Sequence, residues 1–576
     1  MRARCFACAA VLAAFTAGCS SKPSSGPATT TGAVTRGGDL LVSIRSDPPS
    51  FNRYVRRDSS TLLVATLTQA PLVRLNRATQ EVEPWLAERW TASDTAGRGQ
   101  TVTLTLHRDV VFSDGHPFTA DDVLFSFAAA YDDRTGGPLT DALKVSGKKL
   151  DVTAPDAHTV VVSFPTPFAP GIRILDNLPI LPRHKLEAAF NAGTFAKAWG
   201  TSTSPAEIAG LGPFVLAEYT PGQRLVFTRN PRYFRRAPDG GALPYLDRVT
   251  VDIIPDSAAE ILRLENGQLD AMTSEIAPDA YAPLKRAADA GRLQLKDLGV
   301  SYNADALWFN LKPGALGTDP RASWLQRDEL RRAISMAVDR QVYANTVFLG
   351  AGVPVYGPET PANTAWFWDG PQTKHDPAGA KLFLQEIGLV DRNNDGVLED
   401  IHGQPARFTL LTQKGRPNLE RGAAVIRDEL KRVGLQVDVV TVDAGALINA
   451  FLSAHYDAVF FNADKTDSDP GVNPDFWLSS GSAHVWNLEQ KTPATAWERQ
   501  LDMLMARQLA APDYAQRKRV YDEMQKIFAQ HLPMLYFAAP RIYVAASTRM
   551  TNLTPSVWRP QLLWSPDTVA VVARRQ

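Results

Sequence analysis

The chain has 576 residues, 44% hydrophobic and 21% charged, and its 61 Lys and Arg are balanced by 61 Asp and Glu. That length supports a large core in two or three structural units, and the lack of a long basic run argues against nucleic acid as a partner. The three cysteines, Cys5, Cys8 and Cys19, all lie near the amino terminus, so the main body is expected to fold without disulfides.

Arg2 and Arg4 precede an apolar run from Phe6 to Phe15 that ends in Thr16-Ala17-Gly18-Cys19. A charged start, a short apolar core and small residues at a cleavage point predict a secretory signal peptide over 1–18. The run is too short to span a bilayer as a helix. A cysteine directly after Ala-Gly resembles a bacterial lipobox, which implies a lipid on Cys19. Thr16 stands where leucine is usual, and the plainer alternative is an ordinary signal peptide with an incidental cysteine. Residues 19–36, rich in Ser, Thr, Pro and Gly, read as a flexible tether.

Asp39 to Ser46 reads as a first strand, and Leu62 to Leu75 as a helix running into a strand. Pro84-Trp85-Leu86-Ala87-Glu88-Arg89-Trp90 is expected to form a short aromatic helix. Thr101 to Leu106 alternates strictly, as a half-buried strand does. Ser113-Asp114-Gly115 is a turn, and Thr119 with Asp121 and Asp122 starts a helix carrying Val123, Phe127 and Tyr131 on one stripe. Further strands are expected at Thr159 to Phe164, from Leu211 to Leu216 with Arg224 to Thr228, and at Val249 to Ile254. Ser257 to Glu265 reads as a helix.

After Tyr302 the pattern becomes helix–strand alternation. Ala306 to Leu311 is a strand, and Asp328 to Arg340 one helix with Leu330, Ile334, Ala337 and Val338 on a single face. Asp376-Pro377 opens a helix that Gly388 ends. Phe408 to Thr412, a helix from Asn418 to Val433 and Gln436 to Val442 form a strand–helix–strand unit, which favours a parallel pair in an α/β lobe. Trp497 to Leu509 and Tyr514 to His531 are amphipathic helices, and Met534 to Phe537 and Ile542 to Ala545 closing strands.

No Gly-x-Ser-x-Gly, His-Glu-x-x-His or phosphate-cradling glycine loop occurs, and the nine histidines are scattered singly. The composition therefore points away from an enzyme, and no cofactor is expected. Asp391 to Asp400 begins like a calcium loop, but its twelfth position is His402 in place of a bidentate carboxylate, so an acidic surface turn is the expectation and no metal is assigned. The most suggestive stretch is Tyr456 to Pro470. An apolar strand delivers Asn462 and Ala463 and then Asp464, Asp467 and Asp469 into a loop, where carboxylates can pair with a ligand ammonium. Tyr302, Trp308, Trp477 and Trp486 are candidate pocket walls.

The wording LHRDVVFSDGHPFTADDVLFSF from Leu106 to Phe127 resembles the signature of the bacterial extracellular solute-binding proteins of family 5. Pro84 to Trp90, Gly210 to Phe214, Arg229 to Phe234, Glu265 to Asp270 and Arg331 to Arg340 continue the likeness in collinear order. The resemblance implies an α/β, two-lobed periplasmic-binding-protein fold of the large, three-subdomain type, hinged between its lobes. It implies lobe one from 37–75, 205–298 and 529–576, an inserted subdomain at 76–204, and lobe two at 299–528.

It also implies a monomeric receptor that captures peptides, or a similar small solute, and delivers them to the membrane permease of an ABC importer. Asp464 matches the aspartate that pairs with a peptide amino terminus in relatives, with Asp467 or Asp469 as register alternatives. The loop after the first strand, matching Arg56 to Ser59, borders the pocket in relatives, which implies Arg57 and Ser59 as ligand-site residues here. Asn52 stands where Asp is frequent and Ala70 where Glu is frequent. These departures leave the ligand class open, since relatives also carry nickel complexes, opines or oligosaccharides. A secreted hydrolase or peptidase is the alternative from another class.

Overall fold

The computed structural model describes residues 34–56, 58–94, 99–463, 465, 467–573, with the side chains of 94 and 463 left aside. The expectations for the signal peptide and for Cys19 lie outside them. The folded body is Thr35–Gln576, and it is organised by three sheets.

The first elements are β1 (Asp39–Ile44), α1 (Ser59–Thr68), β2 (Ala87–Asp94), β3 (Gln100–Leu106), α2 (Ala120–Tyr131), β4 (Asp151–Asp156) and β5 (Thr159–Phe164). β2-β3-β5-β4 form an antiparallel four-stranded sheet. Val102, Leu104 and Leu106 of β3 are all buried, as the alternation predicts. Gly115 takes φ +95 in its turn, a conformation that favours glycine. α2 starts as expected, with Thr119 at its N-cap and Asp121 and Asp122 in the first turn, and Asp122 adds to the capping. The carboxylate of Asp122 accepts from the Thr119 N–H at 2.9 Å and from the Arg183 N–H at 3.0 Å.

The helix expected over Pro84 to Trp90 is absent: this segment runs into β2. A seven-residue helix has little stability of its own, whereas β3 offers a partner from Ala87↔Leu106 to Asp94↔Gln100. Tertiary pairing overrides the local pattern.

Next come β6 (Phe214–Thr220), β7 (Arg224–Arg229), β8 (Arg248–Ile253), β9 (Ala271–Met272) and β10 (Leu293–Val300). They enter an eight-stranded sheet in the order β6-β7-β8-β1-β9-β16-β10, where β16 is Ala538–Ser547 and the short strand Gly352–Pro354 also pairs with β16. β1 runs parallel to β8 and β9.

The remaining elements are β11 (Ala304–Phe309), α3 (Asp328–Ala337), α4 (Arg340–Val347), β12 (Arg407–Gln413), α5 (Pro417–Lys431), β13 (Gln436–Val442), α6 (Ala444–Leu452), β14 (Ala458–Ala463), α7 (Tyr514–His531) and β15 (Met534–Tyr536). β13-β12-β14-β11-β15 form a mixed five-stranded sheet whose β12–β13 pair is parallel, as the strand–helix–strand reading predicts. The single helix expected from Asp328 to Arg340 is broken at Val338-Asp339. Asp339 accepts from the N–H groups of Gln341 and Val342 and caps α4 as a new helix.

The chain passes between the eight- and five-stranded sheets side by side. β10 leads to β11 through Ser301–Asn303, and β15 leads to β16 through Phe537. The two passages are stitched together, Ser301 N–H to Pro540 O at 2.8 Å and Phe537 N–H to Asp305 O at 3.0 Å. Two adjacent strands joining two bodies make a hinge geometry. Among the described residues no helix is long and apolar enough to cross a membrane.

Candidate functional site

β14 carries Val459, Phe460 and Phe461 to the edge of the second body, and the loop that follows reaches across to the inserted four-stranded unit. That contact is made by Arg173, which sits in the 3-10 segment Gly171–Asn177 between Ile172 and Ile174. Its Nε donates to Asp467 Oδ1 at 2.7 Å and its Nη2 to Ser468 Oγ at 2.9 Å. Nη1 donates to the Gln80 carbonyl at 2.6 Å. Arg173 and Asp467 are both buried, so this is a desolvated, charge-assisted junction between the segment Gly171–Asn177 and the stretch after β14. Burial pushes the Asp467 carboxyl up, while the Arg173 charge opposes that rise.

Lys465 anchors the same loop from the other side. Its backbone N–H donates to Asn303 Oδ1 at 2.8 Å, next to the hinge, and its Nζ lies 2.6 Å from Glu359 Oε2. Glu359 is buried and also accepts from the Tyr521 hydroxyl and from Asn363 Nδ2, both at 2.6 Å. Burial lowers the Lys465 pKa, and the Glu359 charge opposes the shift.

Two cavities meet at this loop, and Lys465 and Asn177 line both. The larger, about 1000 Å³, lies between the five-stranded sheet and residues 138–147 of the inserted unit. Its size is that of a site for a sizeable ligand. The smaller, about 320 Å³, lies toward the eight-stranded body and is walled by Arg74, Trp85, Tyr302, Trp558 and Trp564 among others. There the Arg74 guanidinium lies 3.8 Å from the centroid of Trp85 and 4.9 Å from that of Trp564.

Trp308, Asn462, Asp467 and Trp477 line the larger cavity, and Tyr302 lines the smaller one, its ring 4.3 Å from that of Trp558. Asn462 also accepts from Arg416 Nη2 at 3.1 Å. Ala463 pairs with Ala304 in the sheet. Asp464 and Arg57 lie outside the described residues. Ser59 opens α1 and lines neither cavity.

Asp469 is taken up structurally. Arg517 holds its two oxygens at 2.5 and 2.8 Å, and it caps the turn Pro470–Val472. Asp467 likewise reaches the cavity wall already paired. Trp486 lines neither cavity: it is fully buried against Phe476 and Phe528. Arg173 and Glu359 are the residues that sequence reasoning passes over. The one local signal is an arginine inside the apolar run Ile172-Arg173-Ile174-Leu175, which calls for a buried partner.

In the acidic turn, ligand atoms of Asp391, Asp395 and Glu399 lie within 4.8 Å of one another. Asp391 accepts from the N–H groups of Asp395 and Gly396, Asn393 from that of Asp395, and Glu399 from that of Arg392. These backbone bonds close the turn on itself.

Comparison with known proteins adds the following. The family model described as "Bacterial extracellular solute-binding proteins, family 5 Middle" matches residues 81–484. A probable ABC transporter-binding protein of Deinococcus radiodurans is 26% identical over 541 residues, 90% of each chain. The oligopeptide-binding protein AppA of Bacillus subtilis is 26% identical over 555 residues, covering 93% of this chain and 92% of that one. The structure of AppA with a nonapeptide superposes with a TM-score of 0.71 over 94% of this chain and all of AppA, at 23% identity. NikA of Brucella suis, solved with Fe(III)-EDTA, gives a TM-score of 0.76 over 93% of this chain at 20% identity. These likenesses show a two-lobed α/β binding-protein fold.

Proposed function

The chain belongs to the bacterial extracellular solute-binding proteins of family 5, and we propose that it captures a peptide or similar small solute between two lobes and delivers it to the permease of an ABC importer. It is a binding protein, not an enzyme. The observation that carries the reading is the position of Lys465 and of residues 467–469. These residues lie against the hinge through Asn303 and against the inserted unit through Arg173, with a cavity on either side. A ligand touching both walls stabilises the closed arrangement over the open one, and the two stitched strands supply the pivot.

Within that reading lobe one comprises 37–75, 205–298 and 529–576, with 76–204 inserted and 299–528 forming lobe two. Cleavage before Cys19 and lipid on its sulfur tether a monomeric receptor to the membrane. Peptide as the ligand is supported by the relatives' own ligands: AppA was solved with a nonapeptide. Asp464 is the proposed partner of the ligand ammonium, and Asp464→Asn is expected to weaken peptide binding by about 2–5 kcal/mol.

The test is native mass spectrometry of the purified protein, first as isolated and then after incubation with mixed synthetic peptides. The expected result is one intact peptide retained per chain. Peptides recovered cleaved would replace the receptor by a hydrolase.

A further inference from the structure

α6, with sequence Ala-Gly-Ala-Leu-Ile-Asn-Ala-Phe-Leu, contains no charged residue. A helix of that composition belongs inside a protein, yet only Leu447 is buried, and Ile448 and Leu452 are 54% and 64% exposed. The helix forms one lip of the 1000 Å³ cavity, contributing Ala444, Leu447, Ile448 and Phe451 to its lining. Trp308, Val459, Phe461, Met534 and Tyr536 from the five-stranded sheet line the same cavity, and the Trp308 ring meets that of Phe451 edge-on at 6.2 Å. Apolar surface of this extent lining a cavity marks a binding site.

The charges on the wall add a second constraint. Lys465 is paired with Glu359, and Arg173 with Asp467. Lys144 is paired with Asp141 at 3.0 Å, and the carboxylates Asp475 and Glu489 also line the cavity. An anionic ligand group pushed into this chamber would find the wall lysines already neutralised by protein partners and further carboxylates beside them, and an unpaired buried charge is costly. An uncharged apolar group meets no such penalty and covers Ile448 on the cavity side of α6.

We infer that the ligand carries a bulky uncharged apolar group, of the size of an aromatic ring or larger, and that this group lodges in the large chamber beneath α6. The inference rests on the receptor reading and narrows its substrate class. For a peptide ligand it specifies an aromatic or branched apolar side chain.

Two measurements test it separately from that reading. The first titrates the neutral dye N-phenyl-1-naphthylamine into the wild type, into Ile448→Glu on the cavity lip and into Leu452→Glu, a control on the same helix that does not line the cavity. Circular dichroism verifies the fold of each, and both positions are exposed. One dye per chain is expected, with affinity reduced at least tenfold by Ile448→Glu and unchanged by Leu452→Glu. The second offers two tripeptide pools differing only at the middle residue, Phe, Trp or Leu against Ser, Thr or Asn, with retention read by native mass spectrometry. At least tenfold preference for the apolar pool is expected.

Equal retention of the two pools overturns the inference and leaves the peptide receptor standing. No dye uptake, or uptake indifferent to Ile448→Glu, also overturns it. Dye binding that depends on Ile448, with neither pool retained, upholds the apolar chamber and removes the peptide.

Discussion

Arg173 and Asp467, 294 positions apart in the chain, meet at 2.7 Å between Nε and Oδ1 in a buried junction that links the segment Gly171–Asn177 to the stretch after β14. Removing one member leaves the other charged, buried and alone, at a cost of about 3–5 kcal/mol to any state that keeps the junction closed. Arg173→Met should therefore favour an open form in which Asp467 regains water, seen as a larger radius of gyration by small-angle scattering without ligand. Arg173→Met combined with Asp467→Leu should recover part of the compact form. Unchanged scattering in the single variant would show that the pair does not govern closure.

A second prediction concerns Asp305, on β11 beside the hinge. It is buried and accepts from the Tyr343 hydroxyl at 2.8 Å. Burial outweighs that bond and pushes the carboxyl up to about 7, against about 3.9 in an unfolded chain. The folded state then keeps a proton that the unfolded chain releases. The stability from this group is fully present below about pH 4 and is lost as pH rises through about 7. The whole effect is at most about 4 kcal/mol. Asp305→Asn should remove this component, so that urea midpoints at pH 5 and pH 8 converge relative to wild type. Parallel pH profiles for the two proteins would refute the assignment.

Arg340 closes the motif Ser335-Met336-Ala337-Val338-Asp339-Arg340 and lies buried, with carbonyl and hydroxyl oxygens as its hydrogen-bond partners. Its Nε donates to the carbonyls of Val355 and Tyr536, and its two Nη atoms to the carbonyl and hydroxyl of Ser335. One planar fork thus ties α3 to β15 and to the segment after Gly352–Pro354. Burial lowers its pKa to about 10, so it remains charged at neutral pH. Lysine keeps the charge but cannot reproduce the fork, and Arg340→Lys should cost about 2–4 kcal/mol in urea unfolding. A loss below about 0.5 kcal/mol would mean that the fork contributes little.

Gly422 lies inside α5, where alanine normally stabilises a helix by about 1 kcal/mol. A Cβ there would overlap the Tyr343 hydroxyl and come 2.8 Å from the Phe460 ring. Overpacking of that kind costs about 1–3 kcal/mol, so Gly422→Ala should destabilise. Because Tyr343 is also the donor to Asp305, the same substitution should alter the pH dependence described above. A midpoint raised by the alanine would show that the helix yields more readily than its packing implies.

What the sequence makes legible follows the range of each signal. The helix Ser257–Glu265 and the parallel pair β12 and β13 are readable because cap, period and stop lie within a dozen residues of one another. Pro84 to Trp90 misleads because its partner strand decides its conformation. In the site, the strand-to-loop pattern around β14 points to the right stretch, and Trp308, Asn462 and Trp477 reach the larger cavity. Composition cannot tell a carboxylate facing a ligand from one facing an arginine, and so Asp469 reads as a ligand group although Arg517 holds it. Arg173 and Glu359 escape notice because their partners are remote in sequence.

The place of β16 between β9 and β10 has a consequence for how the protein is made. The largest sheet remains in unjoined pieces until the ribosome has delivered residues 538–547, whereas the second sheet needs nothing beyond β15. Pairing across so long a stretch of sequence is slow. The largest sheet of the nascent polypeptide therefore stays incomplete until almost its last strand has been synthesised.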